Sequence, residues 1–241
     1  MTRVEPDPFV RQRALAGFGA RGQDALFAAR VAIVGVGGLG CPAAVYLAAA
    51  GLGALTLVDS DVVSITNLHR QVLFGPDDVG SRKVEVARSA LRTRAPWTEV
   101  STIDARIGAR DASSILAGHD LVLDATDTFA SRRVVASAAR ELGLPVVWGA
   151  VTGWHGQLTV FDPSVGLDDV FPRDPEPAFD ACESAAVLGA LCGQVGVAMA
   201  TEAIKIVSGT GQPLVGTLAI LDGRTGRWRD VPVRRAVRES A

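Results

Sequence analysis

The stretch "VAIVGVGGLG", Val31 to Gly40, decides how the rest of the chain is read. Its first four residues are apolar, three of them Val or Ile, the pattern of a strand buried on both faces. It runs directly into Gly35-x-Gly37-x-x-Gly40, the glycine spacing of a turn whose backbone comes close to a phosphate. The next apolar run, "ALTLVDS", ends in Asp59, about where a ribose-binding carboxylate belongs. On these residues alone the turn suits NAD or FAD as well as another nucleotide.

Working outward, "QDALFAARVAIVGVGGLGCPAAVYLAAAGLGALTLVDSD" reads as helix, strand, glycine turn, helix and strand, one βαβ unit of a parallel sheet. The helix over Cys41–Ala50 is made of small apolar residues suited to lying flat on a sheet, and Gly51 and Gly53 end it. "SRKVEVARSALRTRAP" predicts a helix with Val84, Ala87, Leu91 and Ala95 on one face, stopped by Pro96. "EVSTIDARI" and "HDLVLDATDT" predict strands. The second covers Leu121–Asp124 and ends in polar residues, where ligands of open α/β sheets collect. A helix over "SRRVVASAARELG" and a strand over "LPVVWGAV" follow. Alternation in "GQLTVFD" and "GTLAILDG…GRWRDVPV" then predicts antiparallel strands at the sheet edge. "AAVLGALCGQVGVAMATEAIKIVSG" predicts a long apolar helix, whose glycines call for close packing against another helix, such as one across a dimer.

No repeat or separating linker divides the chain, so residues 1–241 are read as one domain. It has an N-terminal helical arm over 1–25 and a mobile, proline-rich crossover loop over about 162–184. The expected class is α/β, with a mostly parallel sheet, helices on both faces and antiparallel edge strands near the C-terminus. A hydrophobic fraction of 48% against 21% charged residues supports a packed core. The net charge of −2 offers no basic field for nucleic acid or an anionic membrane. No apolar run reaches membrane-spanning length without glycine or polar breaks, and "MTRVEPDPFVRQRAL" has no apolar signal core, so a soluble cytoplasmic protein is expected. Three cysteines are too few for a disulfide framework.

The second βα connection, "DSDVVSITNLHRQVLFG", is unusually polar. It carries Asp59, Asp61, Asn67, Arg70 and Gln71, with Lys83 opening the next helix. An amide, a guanidinium and an ammonium beside a glycine turn suit a triphosphate attacked at its α-phosphorus, since the cations neutralise the departing pyrophosphate. A carboxylate is then needed to hold Mg²⁺ among the phosphates. Asp127, beside Thr128 in "DATDT", is the best placed; the N-cap of the following helix is a competing reading, and one residue can do both.

Taken together, "GVGGLGCPAAVYLAAAGLGALTLVDSDVVSITNLHRQ", the Lys83 position, "DLVLDATDT", "GQLTVFD" and "ATEAIKIVSG" resemble the ThiF/MoeB/HesA family, the bacterial relatives of ubiquitin-activating enzymes. The resemblance runs from about Arg11 to the C-terminal strand. It implies a Rossmann-like homodimer that uses Mg²⁺ and ATP to adenylate the C-terminal glycine carboxylate of a small ubiquitin-like sulfur carrier protein ending in Gly-Gly. Carried over by motif, Gly35, Gly37, Gly38 and Gly40 would line the phosphates and Asp59 would hold the ribose. Asn67, Arg70 and Lys83 would contact the phosphates and Asp127 would bind Mg²⁺, with Asp61, Gln71 and Thr128 completing the nucleotide set. Arg11 matches an arginine that enters the partner subunit's site. The two C-x-x-C pairs that bind structural zinc in many relatives are absent, so no zinc is expected. Cys182, in "ACESAAVLGA", matches the family's C-x-E-A-G-V stretch with two positions altered, and reads either as the acceptor of a covalent carrier adduct or as incidental.

The chain length leaves no room for a fused rhodanese domain, so a separate sulfur donor is expected, such as a rhodanese or cysteine desulfurase. The pathways implied are molybdopterin, thiamin or a related metabolite. The competing readings are adenylation of a peptide or tRNA base and, in another class, an NAD-dependent oxidoreductase with no use for Asn67, Arg70 or Lys83. Cys41 and Cys192 read as core residues and His69 as surface packing; His119 and His155 show no metal-ligand spacing.

Overall fold

The computed structural model describes residues 7–174 and 186–234. One eight-stranded sheet runs in the order β3-β2-β1-β4-β5-β6-β7-β8. Its strands are β1 Arg30–Val34, β2 Ala54–Val58, β3 Glu99–Ile103, β4 Leu121–Asp124, β5 Val146–Thr152, β6 His155–Phe161, β7 Thr217–Asp222 and β8 Arg227–Pro232. β1 to β5 pair in parallel, and β6, β7 and β8 are added antiparallel. The helices are α1 Val10–Arg13, α2 Gly19–Ala28, α3 Gly40–Ala49, α4 Lys83–Arg94, α5 Ala112–Leu116, α6 Phe129–Leu142, α7 Leu167–Val170 and α8 Gly189–Ser208. The mostly parallel α/β class expected from the sequence is the one observed.

Alternation along the central strands explains their unbroken apolar runs. Val31 and Ile33 of β1, with Leu121 and Leu123 of β4, join the core formed with α3, α4 and α8. Ala32, Val34 and Val122 face the other way, into a core with α5, α6 and Trp148. A strand covered on both faces has no position for a polar residue until it ends. On α4, Val84, Ala87, Leu91 and Ala95 are all buried, as their spacing predicts.

Helix α8 starts later than its apolar pattern indicates. Residues 186–188 are held extended against the β5–β6 turn, where Gly153 N–H donates to Ala186 O at 2.9 Å. The close packing called for by its glycines is found within the chain: a methyl group at Gly196 would come within 2.6 Å of Pro42 Cγ on α3. By length and composition α8 could cross a membrane, but here it packs on α2, α3, β5 and β6.

At the N-terminus, Phe9 packs edge-on against Phe27 and Trp97. Gln12 Nε2 donates to Ala50 O, just past the C-terminal end of α3, at 2.9 Å. In the described part of the crossover segment, α7 is tied to α6 by Arg133, which pairs with Asp168 and Asp174 and donates to Phe171 O.

Candidate active site

The register of the sheet brings the site residues together. Val34 of β1 lies level with Val58 of β2 and Asp124 of β4, so Gly35, Asp59 and Ala125 leave the sheet side by side. Chain connections diverge from β1 to either side, which makes this the crevice where open α/β sheets bind ligands. Gly35 is required twice over: its φ is +93°, and a methyl there would lie 2.7 Å from Ala125 O. A methyl at Gly40 would overlap the Gly35 carbonyl oxygen. Gly37 and Gly38 have no such backbone neighbour. Their neighbours are side chains: Gln71 Nε2, at 3.7 Å from a methyl on Gly37, and Cys192 Sγ and Arg70 Cδ, at 3.1 and 3.4 Å from one on Gly38. The turn leads straight into α3, whose N-terminal N–H groups and dipole favour an anion.

Asp59 is half-buried and braced, with Oδ2 accepting Val36 N–H at 2.7 Å and Oδ1 accepting Asp61 N–H at 2.8 Å. Burial raises its carboxyl above the ordinary 3.8, against the pull of Lys83 and the two backbone donors. The connection after Asp59 is a closed loop. Val62 bridges Arg82, Gly80 N–H donates to Val63 O at 2.8 Å, and Leu73 and Phe74 anchor in the core. Within it Asn67 shapes the chain: its Oδ1 accepts Ser64 N–H at 3.3 Å, and its carbonyl accepts Arg70 and Gln71 N–H, each at 3.0 Å. Gln71 is 4% exposed, and its Oε1 has no partner among the described residues. Lys83, at the start of α4 and 5% exposed, reaches out to the solvent-facing Asp61, with Nζ 2.7 Å from Oδ2.

The β4 end supplies the acidic side. Asp127 is exposed and makes no hydrogen bond or ion pair with the described residues. The helix is capped by its neighbour instead: Thr128 Oγ1 accepts Ser131 N–H at 3.2 Å, so the reading of Asp127 as N-cap is corrected. Two capping-competent residues stand in succession there, and it is Thr128 that has the extended backbone an N-cap needs.

Several contributors went unnoticed in the sequence. Asp124, the last residue of β4, is buried and accepts both the N–H and the hydroxyl of Thr126, and burial raises its carboxyl although Arg132 opposes this. Arg132 donates to Thr126 O and stacks on Phe129 and Trp148. A carboxylate ending an otherwise apolar strand was the available signal. His69, expected only to pack on the surface, has Nε2 2.8 Å from Arg70 Nη1. Cys41 and Cys192 are buried as expected. Burial pushes the Cys41 thiol up to about 12, and Cys192 Sγ lies beneath the turn, 3.1 Å from a methyl placed on Gly38.

Two candidates are not brought to this site. Arg11 is exposed on α1, which packs at the C-terminal end of α3, whereas the glycine turn is at its start. Cys182 lies outside the described residues.

The family model described as the ThiF family matches residues 9–240. Sulfur carrier protein adenylyltransferase from Thermus thermophilus is 40% identical over 97% of this chain and 89% of its own. Molybdopterin-synthase adenylyltransferase from Salmonella typhimurium is 39% identical over 93% of this chain and 91% of its own. Among solved structures, E. coli MccB with ATP superposes with a TM-score of 0.84 at 23% identity, covering 97% of this chain and 74% of that one, a likeness of fold. The family match over almost the whole length, with identities near two-fifths to full-length relatives, places this chain in the ThiF family.

Proposed function

We propose that this chain is an adenylyltransferase that uses Mg²⁺ and ATP to activate the C-terminal glycine carboxylate of a small ubiquitin-like sulfur carrier. The observation that carries this reading is the closed loop after Asp59, which stations Arg70 and Gln71 on Gly38 and Gly37 with Lys83 behind them. An NAD site needs backbone amides for its pyrophosphate and has no use for two cations beside them. A triphosphate that is to be split does. The residues fit such a ligand: the turn has open backbone at Gly37, the buried Gln71 amide has an unused acceptor, and Asp127 has no protein partner among the described residues.

In this reading the turn amides and the start of α3 bind phosphate oxygens, and Asp59 accepts the ribose hydroxyls on the lone pairs its two backbone bonds leave over. Asn67, Arg70 and Lys83 contact the phosphates, Lys83 exchanging Asp61 for phosphate oxygen. Asp127 holds Mg²⁺, for which one carboxylate plus phosphates suffices. The metal supplies positive charge among the phosphates. An oxygen of the carrier carboxylate bonds to the α-phosphorus, the bond from that phosphorus to the bridging oxygen breaks, and pyrophosphate leaves with the electron pair. The carboxylate is already ionised near neutral pH, so no general base is needed, and positioning and charge neutralisation dominate. The enzyme works as a homodimer in which Arg11 serves the partner's site. A separate sulfur donor, such as a rhodanese or cysteine desulfurase, follows it in molybdopterin, thiamin or a related biosynthesis. The relatives named above, one a sulfur carrier protein adenylyltransferase and one a molybdopterin-synthase adenylyltransferase, support this reading.

The test is ATP–pyrophosphate exchange with and without a carrier ending in Gly-Gly. Exchange that requires the carrier and disappears in Asp127→Ala supports the proposal. Absence of exchange with any such carrier, together with tight NADH binding, would overturn it.

A further inference from the structure

Arg70 is fixed at both ends of its side chain. Its stem lies on the glycine turn beside Gly38. At the other end, Nη1 donates to Thr66 O at 3.1 Å and stands 2.8 Å from His69 Nε2, so both of its hydrogens are used inside the loop. A guanidinium has no acceptor to offer and keeps its protons in proteins. In this contact the imidazole Nε2 must therefore be the acceptor. The Nε and Nη2 hydrogens of Arg70 have no acceptor among the described residues. His69 is solvent-exposed on one side and lies beside α8 on the other: a methyl on Gly189 would overlap the His69 carbonyl and lie 3.2 Å from Nδ1. The first residue of α8 thus has room only for glycine beside the His69 peptide.

We infer that His69 is a positioning residue for Arg70. Its bare Nε2 and the Thr66 carbonyl take up Nη1, which holds the Nε–Nη2 edge ready as a two-donor fork for phosphate oxygens. Without His69 the guanidinium rotates about its long stem and must be ordered again each time ATP binds. Glutamine at this position retains an acceptor. Alanine has none, and lysine adds a second cation beside the first.

The inference rests on the reading of Arg70 as a phosphate ligand, so the test separates the two. ATP dissociation constants and kcat/KM for ATP in the exchange reaction are measured on the full chain with its carrier. The variants are His69→Ala, His69→Gln, Arg70→Ala and the His69→Ala/Arg70→Ala double, each checked by thermal unfolding. Losing one ordered side chain predicts that His69→Ala weakens ATP binding by about threefold to tenfold. His69→Gln restores it, and His69→Ala has no further effect once Arg70 is gone. Wild-type affinity in His69→Ala alongside a weakened Arg70→Ala overturns the positioning role, as does an equal His69→Ala loss in both backgrounds. Wild-type ATP binding in Arg70→Ala removes the phosphate reading of Arg70 itself, and the inference with it.

Discussion

Replacing Gly37 by alanine should leave the fold intact and weaken ATP binding, whereas alanine at Gly40, three residues on, should damage the fold itself. The backbone at Gly37 is not in the left-handed region, and the nearest atom to the added methyl is Gln71 Nε2 at 3.7 Å, an ordinary contact. Glycine-to-alanine changes at compatible sites stabilise by about 0.4–1 kcal/mol through the unfolded chain, so the melting temperature should hold or rise slightly. At Gly40 the methyl would meet the Gly35 carbonyl oxygen well inside 3.0 Å. Relief requires moving the Gly35–Val36 peptide, whose N–H donates to Asp59 Oδ2 at 2.7 Å, about a glycine that sits at φ +93°. That places Gly40→Ala at or beyond the upper end of overpacking, about 3 kcal/mol, or a fall of about 6–12 °C for a domain of this size. In the bound state the order reverses. A methyl on Gly37 stands in the open space over the turn, where a phosphate must approach, and excluding it costs about 1–3 kcal/mol, roughly fivefold to 150-fold in affinity. Thermal melts without nucleotide, followed by calorimetric titration of ATP, measure both. Gly37→Ala melting as low as Gly40→Ala would mean the spacing serves packing alone. Gly37→Ala melting normally and binding ATP like wild type would remove the phosphate from the turn, and the reasoning would fail.

Lys83→Met keeps the buried stem but removes the charge, and Asp61 is exposed enough to be solvated when left alone. Exchange should fall by about 100-fold or more with little change in melting temperature; unchanged exchange would return Lys83 to a structural role. With its thiol pushed up to about 12 and buried, Cys41 should escape iodoacetamide at pH 8 in the native protein. Peptide mass spectrometry showing it alkylated before unfolding would contradict that burial. For Asp124, burial raises the folded carboxyl above 3.8. The stability this gives is present in full below 3.8 and is lost as pH climbs through the folded value. Asp124→Asn keeps an oxygen for both Thr126 donors and has nothing to ionise, so it should gain on wild type as pH rises above 3.8 in urea titrations. A gain in the opposite direction would mean that Arg132 outweighs burial.

What could be read along the chain was whatever repeats locally. The doubly apolar runs of β1 and β4, the small-residue helix α3 and the Val84–Ala87–Leu91–Ala95 face each report their own surroundings. What could not be read depends on a meeting of distant segments. The start of α8 is set by the pairing of Ala186 with Gly153, which no apolar pattern encodes. Asp127 and Thr128 are both capping residues, and only the backbone angles around the turn choose between them. Arg11 gives no sign in sequence that α1 lies against the far end of α3 from the glycine turn. The contacts of Gly38 with Arg70 and of Gly37 with Gln71 depend on the Val62–Arg82 bridge closing the intervening loop. The physics of the turn makes the same point: Gly35 and Gly40 are glycines because backbone atoms crowd them, and that crowding is the same whichever nucleotide binds. Gly37 and Gly38 have no backbone atom so close, and with Cys192 beneath Gly38 the choice of ligand falls to what the loop lays beside them: a buried amide with an acceptor to spare and a guanidinium held by its neighbour.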